Sequence, residues 1–456
     1  MKWFQVGAAA LMAVACWCCG LVGAGAMTLN DALGLAYETN PSLEAQRAGQ
    51  RAVDEGVDQA NANWRPQISA SGSYGYNEIH GPGGFGIPGK ATYHPLISQL
   101  SVTEPLFRGG RTYAEIAKAK ALVRAGRDQL TVAEETVLVD AATAYMDVVS
   151  DEATLKLKQS NVAVLQKQLD ATQEQFKVGE LTRTDVAQSQ ARLAGAQSDL
   201  VSAVGLLAVS RSNFEHAIGR PAETLESEPT LPRLPSSEAD AITIATRLNP
   251  NLLAAREQER VTSYAVDDAL GALAPQLSVS GQYEYAQGSP QSFPIGTQHF
   301  TQVVGQVTVP IYQGGAEESA VRQAKQLHSQ AQLAAADSER QVVDATRSAW
   351  QSFVTAQATI HSTKAQLSAN EIAFDGVKQE QQVGSRTTLD VLNAQQELLN
   401  AQVAVVSSQR DTYVAAYQLL ADMGQLTAKS LGLHVTIYDP QTYYDQNAAR
   451  WFGLGD

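Results

Sequence analysis

Few groups of reactive side chains in this sequence have the spacing that chemistry needs. Gly81-x-Gly83-x-x-Gly86 has the spacing of a dinucleotide-binding turn. Such a turn cradles pyrophosphate only between a strand and a helix, and here Ile87-Pro88 follows, with no parallel-sheet unit around it. The 7 histidines are scattered, with no His-Glu-x-x-His run and no close pair, so no zinc site is expected. All 3 cysteines lie together at Cys16, Cys18 and Cys19, so no thiol metal site or disulfide framework is expected beyond them. No nucleophile stands beside a base. The expectation is a protein with no catalytic residues, no metal and no cofactor. What remains is a matched pair of turns. Thr182-x-x-Asp185 and Thr387-x-x-Asp390 both have the spacing of a capping box that opens a helix. A carboxylate there also meets the positive end of the helix dipole.

Two such turns need helices on both sides. No proline occurs between Pro105 and Pro221, or between Pro310 and Pro440. Arg108 to Val178 therefore reads as one helix of about 70 residues, roughly 105 Å long. Gly179 breaks it, and a second helix runs to about Ala217, with Val186, Leu193, Leu200, Leu207 and Phe214 recurring every seven residues. In the second half Val391, Leu398, Val405 and Leu419 match that row. Leu392, Leu399, Val406, Tyr413 and Leu420 add another, so this helix packs against more than one neighbour. Helices this long belong in a bundle or a wall.

Upstream of each long helix the period changes. Leu29 to Asn63 reads as helix, interrupted or started at Pro41. Then Ile68, Ala70, Gly72, Tyr74 and Tyr76 alternate with Gln67, Ser69, Ser71, Ser73 and Gly75, and Leu96, Leu100, Val102 and Leu106 line a second strand. Leu277, Val279, Gly281, Tyr283 and Tyr285, then Val303, Gly305, Val307, Val309 and Ile311, repeat the pattern. The loops within the strand pairs are long and rich in Gly and Pro. Strands of about ten residues with one apolar and one polar face fit a transmembrane β-barrel or an ordinary antiparallel sheet.

The two halves are one unit used twice. Asn40-Pro41, Pro66, Tyr74-x-Tyr76, Pro105, Gly109-Gly110, Val178-Gly179, Asp185 and Gly219 recur in order as Asn249-Pro250, Pro275, Tyr283-x-Tyr285, Pro310, Gly314-Gly315, Val383-Gly384, Asp390 and Gly424. The 456 residues thus divide into a segment 1–26, a first repeat 27–219, a Pro-rich linker 220–237, a second repeat 238–428 and a tail 429–456. Lys2, an apolar run and Ala24-Gly25-Ala26 make residues 1–26 a signal peptide. The alternative is lipidation at Cys16 after Ala13-Val14-Ala15. After Met27 no run approaches 18 consecutive apolar residues, so no transmembrane helix is expected. A net charge of −14 excludes the basic stripe of a nucleic-acid binder. Aromatic residues are only 7%, which suits Ala- and Gln-rich helices with little compact core.

The doubled order of helix, strand pair and long helical hairpin resembles the bacterial outer-membrane efflux family typified by TolC. The turns from Val178 to Val186 and from Val383 to Asn393 resemble its periplasmic helix turns. Pro105-Leu106-Phe107-Arg108-Gly109-Gly110 and Pro310-Ile311-Tyr312-Gln313-Gly314-Gly315 resemble its strand-to-helix junctions. The tail, Tyr438-Asp439-Pro440 through Trp451-Phe452-Gly453-Leu454, resembles a signature of its secretion-type branch.

The resemblance implies a mixed α and β membrane protein, a homotrimer in which each chain gives four strands to one twelve-stranded barrel in outer-membrane lipid. A long α-helical barrel continues it through the periplasm of a Gram-negative cell. It implies a passive exit duct for efflux or type I secretion, joined through a periplasmic adaptor to an inner-membrane ABC or RND-type transporter. Asp185, Arg386 and Asp390 fall where the family closes its periplasmic entrance, and an Asp390 ring would favour cations. Gln381 stands where the best-known member has Tyr, and Asn393 where it has a second Asp. Val178, Gly179, Leu181, Thr182, Val383, Gly384 and Thr387 fall in the turns where an adaptor docks. The rival readings are a periplasmic adaptor, a structural coiled-coil protein and a general porin.

Overall fold

The computed structural model describes residues 26–80, 90–288, 296–448, 450, 451 and 453. The expected signal peptide, apart from its last residue, lies outside them with its cysteines, as does the Gly81–Gly86 loop. Two helices, α1 (Leu29–Thr39) and α2 (Pro41–Asn61), meet at Asn40. Pro41 occupies the first helical position, where its missing N–H is no loss. Asn40 Oδ1 accepts from the Ser42 amide at 2.9 Å, while Asn40 Nδ2 donates to the Ala217 carbonyl at 3.2 Å. The same corner joins α5 (Glu238–Leu248) to α6 (Pro250–Gly271): Asn249 Oδ1 accepts from Asn251 N, and Nδ2 donates to the Asp422 carbonyl at 2.9 Å. Each asparagine thus starts one helix and satisfies a terminal carbonyl of a distant one, which explains the repeated Asn-Pro.

Four strands follow α2: β1 (Gln67–Tyr74), β2 (Asn77–His80), β3 (Lys90–Tyr93) and β4 (Leu96–Arg108). Two more follow α6: β5 (Gln276–Gln287) and β6 (Thr297–Thr308). The main sheet is antiparallel in the order β1-β4-β5-β6, and β2-β3 form a separate hairpin beyond β1 and β4. That hairpin splits off at Gly75, so Tyr76 lies past the end of its expected strand. Alternation holds across the register: Ile68 faces Val102, which faces Gly281, which faces Val303. The sheet has no core of its own. Ile68, Val303 and Val307 are bare, and among its described residues only Ala286 is buried.

At the strand-to-helix junction Gly109 and Gly110 both take positive φ, and a Cβ on Gly109 would lie 2.2 Å from the Gly271 carbonyl oxygen. From there α3 (Arg111–Lys177) runs 67 residues and returns as α4 (Arg183–Ile218). The second half repeats this with α7 (Ala316–Gln382) and α8 (Thr388–Asp422). The helix α8 lies between α7 and α3, and both of its seven-residue rows bury side chains, Leu398 and Leu419 in one, Leu399 and Leu420 in the other. The helix α4 packs chiefly on α3 and leaves Val201, Val204, Leu206 and Val209 exposed. By length and composition α4 is apolar enough to cross a membrane. The expectation of no such helix rested on an unbroken apolar run, and α4 qualifies only by averaging over Gln197, Ser198, Asp199 and Ser202. It is tied along α3 by Lys158–Asp199 at 2.9 Å and Arg211–Glu152 at 2.8 Å.

The core sits midway along the hairpins, where α1, α3, α4 and α8 meet α9 (Ala428–Leu431). Tyr145 is its hub: its ring packs near Phe214, and its hydroxyl donates to Met27 O at 2.8 Å and accepts from Glu226 N at 2.9 Å. This stitches the extended linker to the helices. The same core holds a carboxyl. Glu135 is 5% exposed, its Oε1 has no hydrogen-bond partner among the described residues, and burial, aided by the charges of Glu134 and Asp422, pushes it up to about 9. It is protonated in the fold at neutral pH but would ionise near 4.5 in the unfolded chain. Its contribution is therefore present at low pH and is lost progressively as pH rises towards 9. Glu135→Gln is expected to flatten that fall, so thermal unfolding of the detergent-solubilised protein at mildly acid and mildly alkaline pH should give a smaller difference in Tm for the variant.

Candidate functional site

The two hairpin turns are built alike from local rules. After α3, Gly179 takes φ +83 and two backbone bonds close the helix, Gly179 N to Phe176 O and Glu180 N to Gln175 O. After α7, Gly384 takes φ +78, with Gly384 N to Gln381 O and Ser385 N to Glu380 O. These are paired helix-ending bonds that need a left-handed residue, hence glycine at both places. The preceding valines are bare, Val178 at 72% and Val383 at 81% exposure. Leu181 is half-buried, while Thr182 and Thr387 are exposed at the mouths of the next helices.

Both capping boxes form. Asp185 Oδ2 accepts from Thr182 N at 3.0 Å and Thr182 Oγ1 at 2.7 Å; Asp390 Oδ2 accepts from Thr387 N at 2.9 Å and Oγ1 at 2.8 Å. The Thr182 hydroxyl and amide hold the Asp185 carboxyl below its ordinary value. The Thr387 amide and hydroxyl do the same for Asp390, with a smaller pull from Arg386. Both therefore carry charge at neutral pH. Arg386 is turned to its own hairpin: its Nε donates to Glu380 Oε2 at 2.9 Å. The Gln381 side chain is half-buried and makes no hydrogen bond among the described residues.

Of the five entrance residues named from sequence, only Asn393 reaches the other hairpin by a side-chain hydrogen bond. Its Oδ1 accepts from Arg192 Nη2 of α4 at 2.8 Å. Arg192 was not among the expected residues. Its signal was available, because Arg192 lies seven residues after Asp185 and so near the same stripe of α4. The residues next to this pair, Leu193 and Leu392, are buried together with Leu165, Leu169 and Ala196. Farther along, Gln395 Nε2 donates to the buried Asn161 Oδ1 at 3.3 Å, and Arg410 pairs with Asp147 at 2.7 Å. The hairpins are thus joined near their tips by an apolar contact with a polar clasp beside it. Among the described residues no group of three or more His, Cys, Asp or Glu could hold a metal ion.

The family described as outer membrane efflux protein matches residues 32–220 and again 241–425. The outer membrane efflux protein BepC of Brucella suis biovar 1 is 33% identical over 438 residues, covering 94% of this chain and 92% of the relative. The outer membrane protein TolC of Escherichia coli is 25% identical over 432 residues, covering 90% and 85%. Among solved structures, the Campylobacter jejuni CmeC outer membrane channel superposes with a TM-score of 0.77 at 16% identity, covering 92% of this chain and 89% of that one. Replacing Thr182 or Thr387 with Ala is expected to cost about 1 kcal/mol of local helix stability. Hydrogen exchange should then quicken in the first turn of α4 or α8 and stay unchanged in the Tyr145 core.

Proposed function

This chain belongs to the outer membrane efflux protein family, and we propose that three copies of it form the passive exit duct of a tripartite efflux or type I secretion system. It resides in the outer membrane with a periplasmic extension, and its family consists of channel proteins, not enzymes. The family sets aside the adaptor and structural coiled-coil readings.

One observation carries the trimer. The chain is open on the same two sides from end to end. The strands β1 and β6 are unpaired edges, which a membrane forbids because no water satisfies their backbone groups. On the β1 side α4 leaves Val201, Val204, Leu206 and Val209 exposed, and on the β6 side α7 buries only Val321, Ala335, Val342, Thr346, Ala349 and Phe353 over 67 residues. Joining one copy's β1 side to the next copy's β6 side closes both walls. Three copies supply twelve strands, an even number. Strands of 12 residues span about 30 Å when tilted in a barrel, the thickness of the hydrocarbon layer. Ile68, Leu100, Val102, Val303 and Val307 then face lipid, while Ser69, Ser101 and Gln302 line the lumen.

The turns form the periplasmic entrance in this reading. The bare Val178 and Val383, with Gly179, Leu181, Thr182, Gly384 and Thr387, offer an apolar tip to an adaptor that links the duct to an ABC or RND-type pump. The resemblance of the tail to the secretion-type branch favours protein export. Asp185, Arg386, Asp390, Gln381 and Asn393 guard the entrance, and the Arg192–Asn393 bond clasps one hairpin to the other. The charged caps of three chains make the entrance favour cations.

A heat-modifiable trimer that resists carbonate extraction from outer membranes is expected; a carbonate-extractable protein contradicts the reading. In planar bilayers Arg192→Ala is expected to raise conductance by loosening the clasp, as are Asp185→Ala and Arg386→Ala. Unchanged conductance in all three removes the gating role.

A further inference from the structure

The C-terminal tail has no counterpart in the first half; Leu433 anchors its beginning in the Tyr145 core, and the rest runs on beyond it. Its path is set by three aromatic rings, each laid against an arginine, two on helices and one just before β1. The guanidinium carbon of Arg47 stands 5.2 Å from the Tyr438 ring centroid, that of Arg127 5.6 Å from Tyr444, and that of Arg65 5.0 Å from Trp451. Hydrogen bonds follow the same line. Arg127 Nη1 donates to Gln441 Oε1 at 2.7 Å, Tyr443 OH to Glu55 Oε1 at 2.8 Å, and Arg65 Nη1 to the Arg450 carbonyl at 3.0 Å. Between these points α10 (Pro440–Asn447) rests on α2, and Tyr444 packs against Val57, Ala119 and Val123. The tail therefore climbs α2 from Arg47 to just past its end, roughly 27 Å at helical rise.

The climb ends at a particular level. Arg65 precedes β1 by two residues, so Trp451 is delivered to the periplasmic rim of the sheet. Trp64 and Tyr113 stand at that rim, ring to ring at 4.9 Å, and Tyr113 is bare. Trp451 itself is 60% exposed. An indole left bare beside a guanidinium is the pairing that settles at lipid headgroups, with an apolar body, a polar N–H and a cation for phosphate.

We propose that the tail is a strap that seats Trp451 and Arg65 in the inner-leaflet headgroups of the outer membrane, so that a phospholipid surface is the partner of this pair. The proposal rests on the reading of the sheet as an outer-membrane barrel. It gives the three arginine–aromatic clamps a common purpose: they hold the tail taut so that its end meets the bilayer where the barrel enters.

The test uses the full chain with Trp64→Phe and Trp350→Phe, which leaves Trp451 as the one tryptophan outside the expected signal peptide. The protein is reconstituted in phosphatidylethanolamine–phosphatidylglycerol vesicles containing lipids spin-labelled near the headgroup or near the chain end. Trp451 emission should be quenched strongly by the headgroup-proximal label and weakly by the deep one, and Tyr444→Ala, which loosens the middle clamp, should reduce that quenching. Quenching by aqueous iodide without lipid quenching overturns the proposal, because the tail end is then free in water. Quenching by neither also overturns it, because a second copy then covers the ring. Carbonate resistance of the same variant separates the two levels: an extractable chain defeats the barrel reading itself, whereas an inserted chain whose Trp451 ignores lipid labels defeats only the strap. If Trp64→Phe impairs insertion, the difference in quenching between the unsubstituted chain and Trp451→Phe gives the same answer.

Discussion

Everything in this chain follows from an unclosed wall. A four-stranded sheet with bare faces and two free edges cannot stand alone in lipid, where each unsatisfied backbone group costs several kcal/mol. Two long hairpins side by side are no better off in water, since they enclose no volume. The sequence spends few residues on a compact core and leaves many apolar ones on surfaces that the proposed trimer would bury. The exposed valines and Leu206 of α4 and the sparsely buried α7 are the helical counterpart of the unpaired β1 and β6. In the proposed trimer, barrel closure and tunnel closure are a single event.

Such a wall needs one place where the register of strands and helices is locked. The belt around Tyr145 supplies it. There the linker, Met27 before α1 and the ends of α4 and α8 are stitched together, and the Asn40 and Asn249 corners tie the short helices to the hairpin ends. Away from this belt the hairpins are held by spaced contacts: Lys158–Asp199, Arg410–Asp147, the Leu392 cluster and the Arg192–Asn393 clasp. The tips are thus the least braced part of the wall. A rigid belt with lightly clasped tips is the mechanical arrangement a gate needs.

Local features were readable in advance. The capping boxes at Thr182 and Thr387, the helix breaks at Gly179 and Gly384, the interruption at Pro41 and the strand alternation each depend on a few neighbouring residues and form in the structure, although Tyr76, Val309 and Ile311 lie beyond the strands their alternation assigns them to. The two rows of α8 announced two neighbours because burial on two faces leaves a repeat on each. Pairings between distant segments were not readable. Arg192 meets Asn393 only because α4 and α8 lie against one another, and no local rule names that partner. Arg386, placed at the entrance by resemblance, bonds Glu380 of its own hairpin, a partner folded back by the Gly384 turn. The climbing tail likewise depends on contacts far apart in sequence. The negative charge, which excluded nucleic acid, acquires a second sense at the tips, where capping by Thr182 and Thr387 holds the Asp185 and Asp390 carboxyls below their ordinary value.

The central claim is closure by three copies, and counting chains in the intact particle tests it most directly. Native mass spectrometry of the protein extracted gently from outer membranes should give a mass of three mature chains, with no stable monomer before heating. A particle of one or two chains, still inserted and conducting, would contradict the account.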